Sequence, residues 1–543
     1  MSKHHCCARF NPEKETKDQL KSPPDSICKI PVCSAIMECM GIIKRILRSP
    51  ITWVIGISAL YVLSRLTNLT ALPIFTDEAI YLRWSQIGGN DASWRFISLT
   101  DGKQPLFTWF VMALLRVIKD PLEAGRLVSV AAGFISIWGM YFLGSEIFKN
   151  KRIGVIASFL YLISPFTFMY DRLALYDAWV ATFFIWNCYI SVLFVRLVRL
   201  DIALILGLTI GVGMLNKTSA NFSLYLLPVS LLLFNFKGKD VAKRLAKWVG
   251  LVLIVAFLSQ AVYSILRLSP YFYIIAQKDT TFIYTLSEWL THPFRFWRGN
   301  LHGEFDWMIT YLTIPVFIAS LAPLLLFWKK PMEKLVLLGW WFAPFFALAL
   351  FGKVLYPRYV LFMSMPMLIL AAYTIDYMLT VIRPKLLSVV LVGLVCFQAI
   401  WLSVWILTDI KHAPIPKSDI GQYINDWPSG WGTNEIVTLL EMEAKDKPIA
   451  VYTEGTFGLY PFALEIYLWQ NKNIEIHGIW PPPTMIPKEV EKTAMEKTTF
   501  YVVYQKQDPN AYRWPMTLIA KYQKGNSENV HTFVYKIDLA KSP

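Results

Sequence analysis

The 543-residue sequence predicts an all-α polytopic membrane protein with a small α/β domain at its C-terminal end. Three observations lead there. Hydrophobic residues make up 55% of the chain and charged residues 17%, where a soluble protein carries about a quarter charged. Long apolar runs recur between short basic loops, the pattern of successive membrane spans. From about Asp409 onward the composition turns soluble, with turn signals and β-rich runs. The formal charge of +15 does not point to nucleic acid, because much of it lies in short loops where Lys and Arg set membrane orientation.

Taken in order, residues 1–49 are polar and end in Lys44, Arg45 and Arg48, which predicts a disordered cytoplasmic tail. Five of the seven cysteines fall there, and His4-His5-Cys6-Cys7 lacks the paired spacing of a zinc finger. Cys188 and Cys396 sit inside apolar runs and read as packing residues. Span 1, residues 51–72, leads outward to Thr76-Asp77-Glu78. Segment 104–118 offers about 15 apolar residues where a span needs about 20, so it reads as an interfacial helix. Ala79 to Ile87 reads as a second, and residues 73–125 as one outer loop lying on the membrane. Ten further spans then end near residue 408, eleven transmembrane helices in all.

With that count every strongly basic connection lands inside, among them Lys149 to Arg152, Lys237 to Lys247 and Lys329 to Lys334. Asp77, the Asp171 to Asp177 turn, Lys217, loop 269–306 and the C-terminal domain share the outer face. Counting 104–118 as a span would reverse this and contradict the positive-inside pattern. The expected organisation is a tail over 1–49, a transmembrane catalytic domain over 50–408 and an extracytoplasmic domain over 409–543. In the last, 448–453, 474–477, 499–504 and 532–537 read as strands and 459–470 as a helix, with Pro481-Pro482-Pro483 a rigid connector.

Acids and cations gathered at one interface suit transfer from a lipid-phosphate sugar. That chemistry needs a base for the acceptor proton, cations for the phosphate leaving group and an interfacial cavity. Asp77 is the first candidate base, with Glu78 orienting it. Lys103, before Gln104-Pro105, can reach a lipid phosphate as a point charge. Arg126, at the mouth of span 2, has the same two readings as Lys103: phosphate ligand or snorkelling cation. Lys217 in Asn216-Lys217-Thr218 is more telling, since an outer Lys is not needed for topology. Arg358 and Tyr359 supply another outer cation and a hydroxyl. Arg172 could pair with Asp171 or Asp177, and with Arg358 and Tyr359 it joins Lys103, Lys217 and Arg126 as a candidate ligand of the donor phosphate; Asp177 could position the acceptor, hold a divalent cation or merely cap the next span. His292, His302, Glu304 and Asp306 in the loop do not have the spacing of a specific metal site. No phosphate-binding glycine loop, dinucleotide fingerprint or Ser-His-Asp order is present. No cofactor is called for, and a divalent metal stays open.

The ordered set Asp77-Glu78, Gly102-Lys103-Gln104-Pro105, Gly125-Arg126, Arg172 to Asp177 and Asn216-Lys217-Thr218 resembles the dolichyl-phosphate-mannose protein mannosyltransferase superfamily. Bacterial relatives such as the lipid A aminoarabinose transferase belong to it. The resemblance covers roughly residues 50–380. It implies a GT-C fold, an inverting mechanism and a polyprenyl-phosphate sugar donor. It also implies Asp77 as base, Lys103 and Lys217 on the donor phosphate and Asp177 as second acid, with glycolipid, polysaccharide or protein as acceptor. The C-terminal region does not resemble the β-trefoil domain of the eukaryotic enzymes, which favours a bacterial-type enzyme. A transporter or flippase of lipid-linked sugars is the alternative. It would place ionisable groups near the midplane, with repeats and broken helices. An inactive scaffold is disfavoured by the presence of both Asp77 and Asp177.

Overall fold

The computed structural model describes residues 49–326, 328–508 and 511–540. The expected tail up to residue 48, with His4, His5 and its five cysteines, lies outside the described residues. The elements from Trp53 onward form one compact unit.

The helical part runs α1 (Pro50–Leu66), α2 (Thr76–Asn90), α3 (Leu106–Leu114), α4 (Pro121–Phe148), α5 (Lys151–Ile163), α6 (Pro165–Tyr170), α7 (Asp177–Leu197) and α8 (Leu200–Asn216). Then come α9 (Val241–Tyr263), α10 (Trp297–Leu312), α11 (Ile314–Leu321), α12 (Pro331–Phe351), α13 (Ser364–Val381) and α14 (Lys385–Thr408). Helix α3 has nine residues and reaches about 14 Å, half of the roughly 30 Å hydrocarbon core.

Among the described residues, six helices are long and apolar enough to cross a membrane: α4, α7, α9, α12, α13 and α14. The pair α10 and α11 is apolar enough only when taken together, as a broken span or a re-entrant loop, and is bent by 106° where Thr313 takes φ 68° and Pro315 interrupts the hydrogen bonding. Helices α1 and α8, at 17 residues each, reach about 25 Å. The apolar run over 153–170 is broken into α5 and α6 at Ser164-Pro165, and the run over 218–233 into short turns around Pro228. Prolines therefore interrupt several of the eleven expected runs.

Local sequence explains the helix ends. Asp120 accepts from Glu123 N at 2.8 Å ahead of Pro121, an N-cap followed by the favoured first-turn proline. Helix α4 then stops at Lys149 in the left-handed region, and Asn150 caps α5 through Arg152 N. Helix α4 is central and packs against α5 and α7. At its middle, a Cβ on Gly133 would come within 1.9 Å of the Tyr61 hydroxyl and 2.3 Å of Asp171 Oδ2. The missing side chain leaves room for Asp171 to accept from Tyr61 at 3.0 Å and Tyr161 at 3.2 Å.

Beyond α14 come α15 (Thr433–Glu443), β1 (Ile449–Glu454), α16 (Leu459–Leu468), β2 (Ile474–Ile479), β3 (Thr498–Val503), β4 (Met516–Gln523) and β5 (His531–Ile537). The sheet order is β2-β1-β3-β5-β4. Strands β1, β2 and β3 are parallel, and β5 runs antiparallel to β3 and β4. Strands β1 and β3 are almost wholly buried, as central strands covered on both faces must be. Helix α16 packs on α2, where Gln86 donates to Ile466 O at 2.8 Å and Arg83 pairs with Glu465.

Candidate active site

Helix α2 positions the first carboxylate. Asp77 and Glu78 occupy its first turn, where the helix dipole favours negative charge. Two neighbours on one turn nevertheless point to different places. Asp77 Oδ2 accepts from Arg358 Nη2 at 2.8 Å and is partly open to solvent. Glu78 is fully buried and paired with fully buried Arg126, through Nε at 2.9 Å and Nη2 at 2.8 Å. Glu78 also accepts from Ala174 N at 2.7 Å and Phe75 N at 3.3 Å, while Arg126 Nη1 holds the carbonyls of Leu69 and Leu72, both at 2.8 Å. This is a strut between α2, α4 and the turn after α6, with no donor left facing Asp77.

The second carboxylate, Asp177, starts α7. Its Oδ1 accepts from Lys217 Nζ at 2.6 Å, and its Oδ2 lies 4.0 Å from Arg358 Nε. Lys217 is where the chain leaves α8 in an extended conformation, fixed by Asn216 donating to Tyr176 O at 3.0 Å. The ammonium also lies 4.2 Å from the Tyr359 ring centroid, within cation–π range. Arg358 is buried among Tyr356, Tyr359 and Phe75. Its Nη1 donates to Gln422 Oε1 at 3.3 Å and the Tyr423 hydroxyl at 3.2 Å. A planar fork thus bridges two acids and two polar groups, a geometry that Lys cannot reproduce.

Lys103 completes the rim. It lies 4.9 Å from the Phe282 ring, whose other edge faces Tyr359. Gln104 donates to Thr218 at 2.7 Å, and Thr218 to Asp279 at 3.5 Å. Burial pushes the Asp279 carboxyl up, opposed by that hydrogen bond and by the fields of Lys103 and Lys217.

The structure therefore brings Asp77, Asp177, Lys103, Lys217, Arg358 and Tyr359 together and sets Glu78 and Arg126 apart. Arg172 is apart as well. It pairs with neither Asp171 nor Asp177 but donates through Nη2 to the carbonyls of Thr67 and Asn68. Of the four loop residues singled out, Glu304 is buried and its carboxylate has no hydrogen-bond partner among the described residues. Among the described residues, no three His, Cys, Asp or Glu side chains come together as a metal-binding group.

Sequence reasoning missed Gln422, Tyr423 and Asp279. It also missed Asp419, which accepts from the Tyr170 and Tyr311 hydroxyls; burial lifts its carboxyl to about 6 against those two hydrogen bonds and Arg358. The C-terminal region enters the site directly. Thr76 N and Oγ1 donate to Pro428 O at 3.0 and 3.1 Å. Fully buried Lys524 clamps the same segment, donating to Trp427 O at 2.8 Å and Ser429 O at 2.7 Å.

A many-helix body thus brings acids and cations together at the starts of α2 and α7, and a small five-stranded sheet follows it in the chain. The family model described as dolichyl-phosphate-mannose-protein mannosyltransferase matches residues 102–263, a stretch that holds Lys103, Asp177 and Lys217 but not Asp77 or Arg358. ArnT from Cupriavidus metallidurans bound to undecaprenyl phosphate is similar with a TM-score of 0.58 and 13% identity, over 90% of this chain and 99% of that one. Its apo form gives 0.55 at the same identity and coverage. The apo oligosaccharyltransferase of Archaeoglobus fulgidus is similar with a TM-score of 0.48 and 13% identity, over 91% of this chain and 75% of that one. No curated protein sequence matches this chain. The chain thus has the fold of ArnT and resembles the mannosyltransferase family over residues 102–263.

Proposed function

We propose that the protein is an inverting glycosyltransferase of the membrane, moving a sugar from a polyprenyl phosphate to a glycolipid, polysaccharide or protein acceptor outside the cytoplasm. The observation that carries this reading is the cluster itself. Two carboxylates and the cations Lys103, Lys217 and Arg358 converge from five separate parts of the chain around Tyr359. The neighbour solved with undecaprenyl phosphate supports a donor of that class.

In this reading the acceptor hydroxyl attacks the anomeric carbon from the face opposite the phosphate. Its proton passes to Asp77 as the new C–O bond forms, the sugar–phosphate bond breaks, and the electron pair leaves on the polyprenyl phosphate. Lys217 and Arg358 then transfer their hydrogen bonds from carboxylates to phosphate oxygens, with Lys103 adding charge at the rim. Asp177 holds Lys217 and Arg358 in place between turnovers. The N-terminus is cytoplasmic, and the site and sheet domain lie on the other side, as the basic loops require.

Asp77→Asn tests this, since it keeps the shape and removes the base. Transfer of labelled sugar from membrane polyprenyl phosphates is expected to fall at least a hundredfold, with binding of the donor retained. Unchanged transfer would remove Asp77 from the role. One observation favours the transporter reading, namely the bent pair α10–α11 with buried Glu304 unpartnered, a broken-helix feature. Flux of a labelled lipid-linked sugar across proteoliposomes without acceptor would support it.

A further inference from the structure

A second cluster of cations lies away from Asp77 and has no role in the reading above. A cavity of about 230 Å³ opens between the end of α1 and the end of α14, with Phe168 as its floor and Trp431 opposite. Arg172, Arg126 and Lys411 stand in its wall. Arg126 is neutralised by Glu78. Arg172 has no such partner: its Nη2 donates to the carbonyls of Thr67 and Asn68, its Nη1 has no hydrogen-bond partner among the described residues, and the charged groups acting on it are Arg65 and Arg126. The Lys411 ammonium lies 4.1 Å from the centroid of Trp431 and makes no ion pair among the described residues. One carboxylate lines the cavity, Asp409, and it is engaged by His412 at 2.7 Å. A guanidinium nitrogen shut from solvent with no partner among the described residues marks a missing acceptor, and a guanidinium and an ammonium in the wall of one cavity suit phosphate oxygens.

The flanks say where such a phosphate comes from. Helices α1 and α14 both dock on the α5–α6 break, through Arg65 donating to Leu162 O at 2.9 Å and Ser403 donating to Ile163 O at 2.8 Å. Their outer faces below the cavity are apolar and uncovered: Leu63 is 66% exposed, Leu66 43%, Trp401 44% and Val404 51%. In a bilayer those faces meet acyl chains. The cations sit at the ends of these two helices, beyond their exposed apolar residues, as a headgroup sits at the end of its chains.

We infer that this cavity binds the phosphate headgroup of a membrane lipid through Arg172 and Lys411, with the lipid's chains along α1 and α14. The site is separate from the Lys103–Lys217 cluster, and it does not depend on the transferase reading.

The test uses full-length protein in mild detergent, probed with phosphatidic acid, phosphatidylglycerol, phosphatidylcholine and inorganic phosphate. Retained lipid is counted by native mass spectrometry and affinity by titration. Phosphatidic acid and phosphatidylglycerol are expected to bind, at least tenfold more weakly in Arg172→Gln or Lys411→Gln, and with normal affinity in Lys521→Gln, on the exposed edge strand β4. Lys411 stands on a turn, so its variant keeps the test available if Arg172→Gln does not fold. Equal retention by all variants, an equal preference for phosphatidylcholine, or inorganic phosphate displacing the lipid at similar concentration would each overturn the assignment. Loss of binding in Lys217→Gln alone would assign the lipid to the other cluster and overturn it too.

Discussion

Replacing Arg126 by Met separates a strut from a substrate ligand. The change removes one partner of an ion pair in which both side chains are fully buried, and breaking such a pair costs about 3–5 kcal/mol. It also orphans the carbonyls of Leu69 and Leu72, so the upper half of that range is expected. Glu78 keeps its bonds from Ala174 N and Phe75 N, which limits the loss but leaves a buried negative charge. Adding Glu78→Gln removes that charge. The double variant should therefore lose less than the sum of the single ones, with a coupling of about 1–3 kcal/mol. Membrane proteins often unfold irreversibly, so the assay compares inactivation rates of wild type and the three variants at one temperature in detergent. Every 1.4 kcal/mol lost from the unfolding barrier speeds inactivation about tenfold. An Arg126→Met protein with wild-type inactivation but weakened donor affinity would refute the argument and make Arg126 a phosphate ligand.

Two other perturbations act through the C-terminal region. A Cβ at Gly430 would meet the Ile74 carbonyl oxygen at 1.9 Å, so Gly430→Ala is expected to cost about 1–3 kcal/mol. It should also lower kcat by displacing Thr76 and Asp77, and a variant with unchanged kcat would argue against that route. Burial holds the Lys524 amine down at about 7, opposed by Asp426 and Glu454. Between that value and the ordinary one near 10.5 the unfolded chain binds the extra proton, so stability should climb as pH rises through this window. The burial penalty is in full force below pH 7. The limiting slope is about 1.4 kcal/mol per pH unit, and Lys524→Met should remove it. Parallel pH profiles for the two proteins would refute this.

Much of the fold was legible because apolar runs and basic loops are properties of single segments. Asp77, Lys103, Asp177, Lys217 and Arg358 were likewise visible as charges placed where orientation does not need them. The roles of Glu78, Arg126 and Arg172 were not. A buried charge facing another charge is written with the same letter as one facing a cavity, and only the Ala174 N and Leu69 O contacts tell them apart. Tyr423 and Gln422 reach Arg358 from 65 and 64 positions away with no motif around them. Strand β4 was missed because it is an edge strand, largely exposed and bulged between Leu518 and Ala520, so its pattern lacks a clean alternation. The bend at Thr313 joins a positive backbone angle to a proline two residues on, and only the proline is written in the local sequence.

The hydrogen bond from Thr76 to Pro428 joins positions 352 residues apart. At a synthesis rate of about 5–20 residues per second, the helix that carries Asp77 waits roughly 20–70 s for the carbonyl that seats it. Arg358 waits in the same way for Tyr423. During that interval the helices enter the membrane one after another while the acidic cluster lacks its backing. The setting of Asp77 is thus tied to synthesis of the C-terminal region: a product of premature termination before residue 428 would lack the carbonyl that seats Thr76.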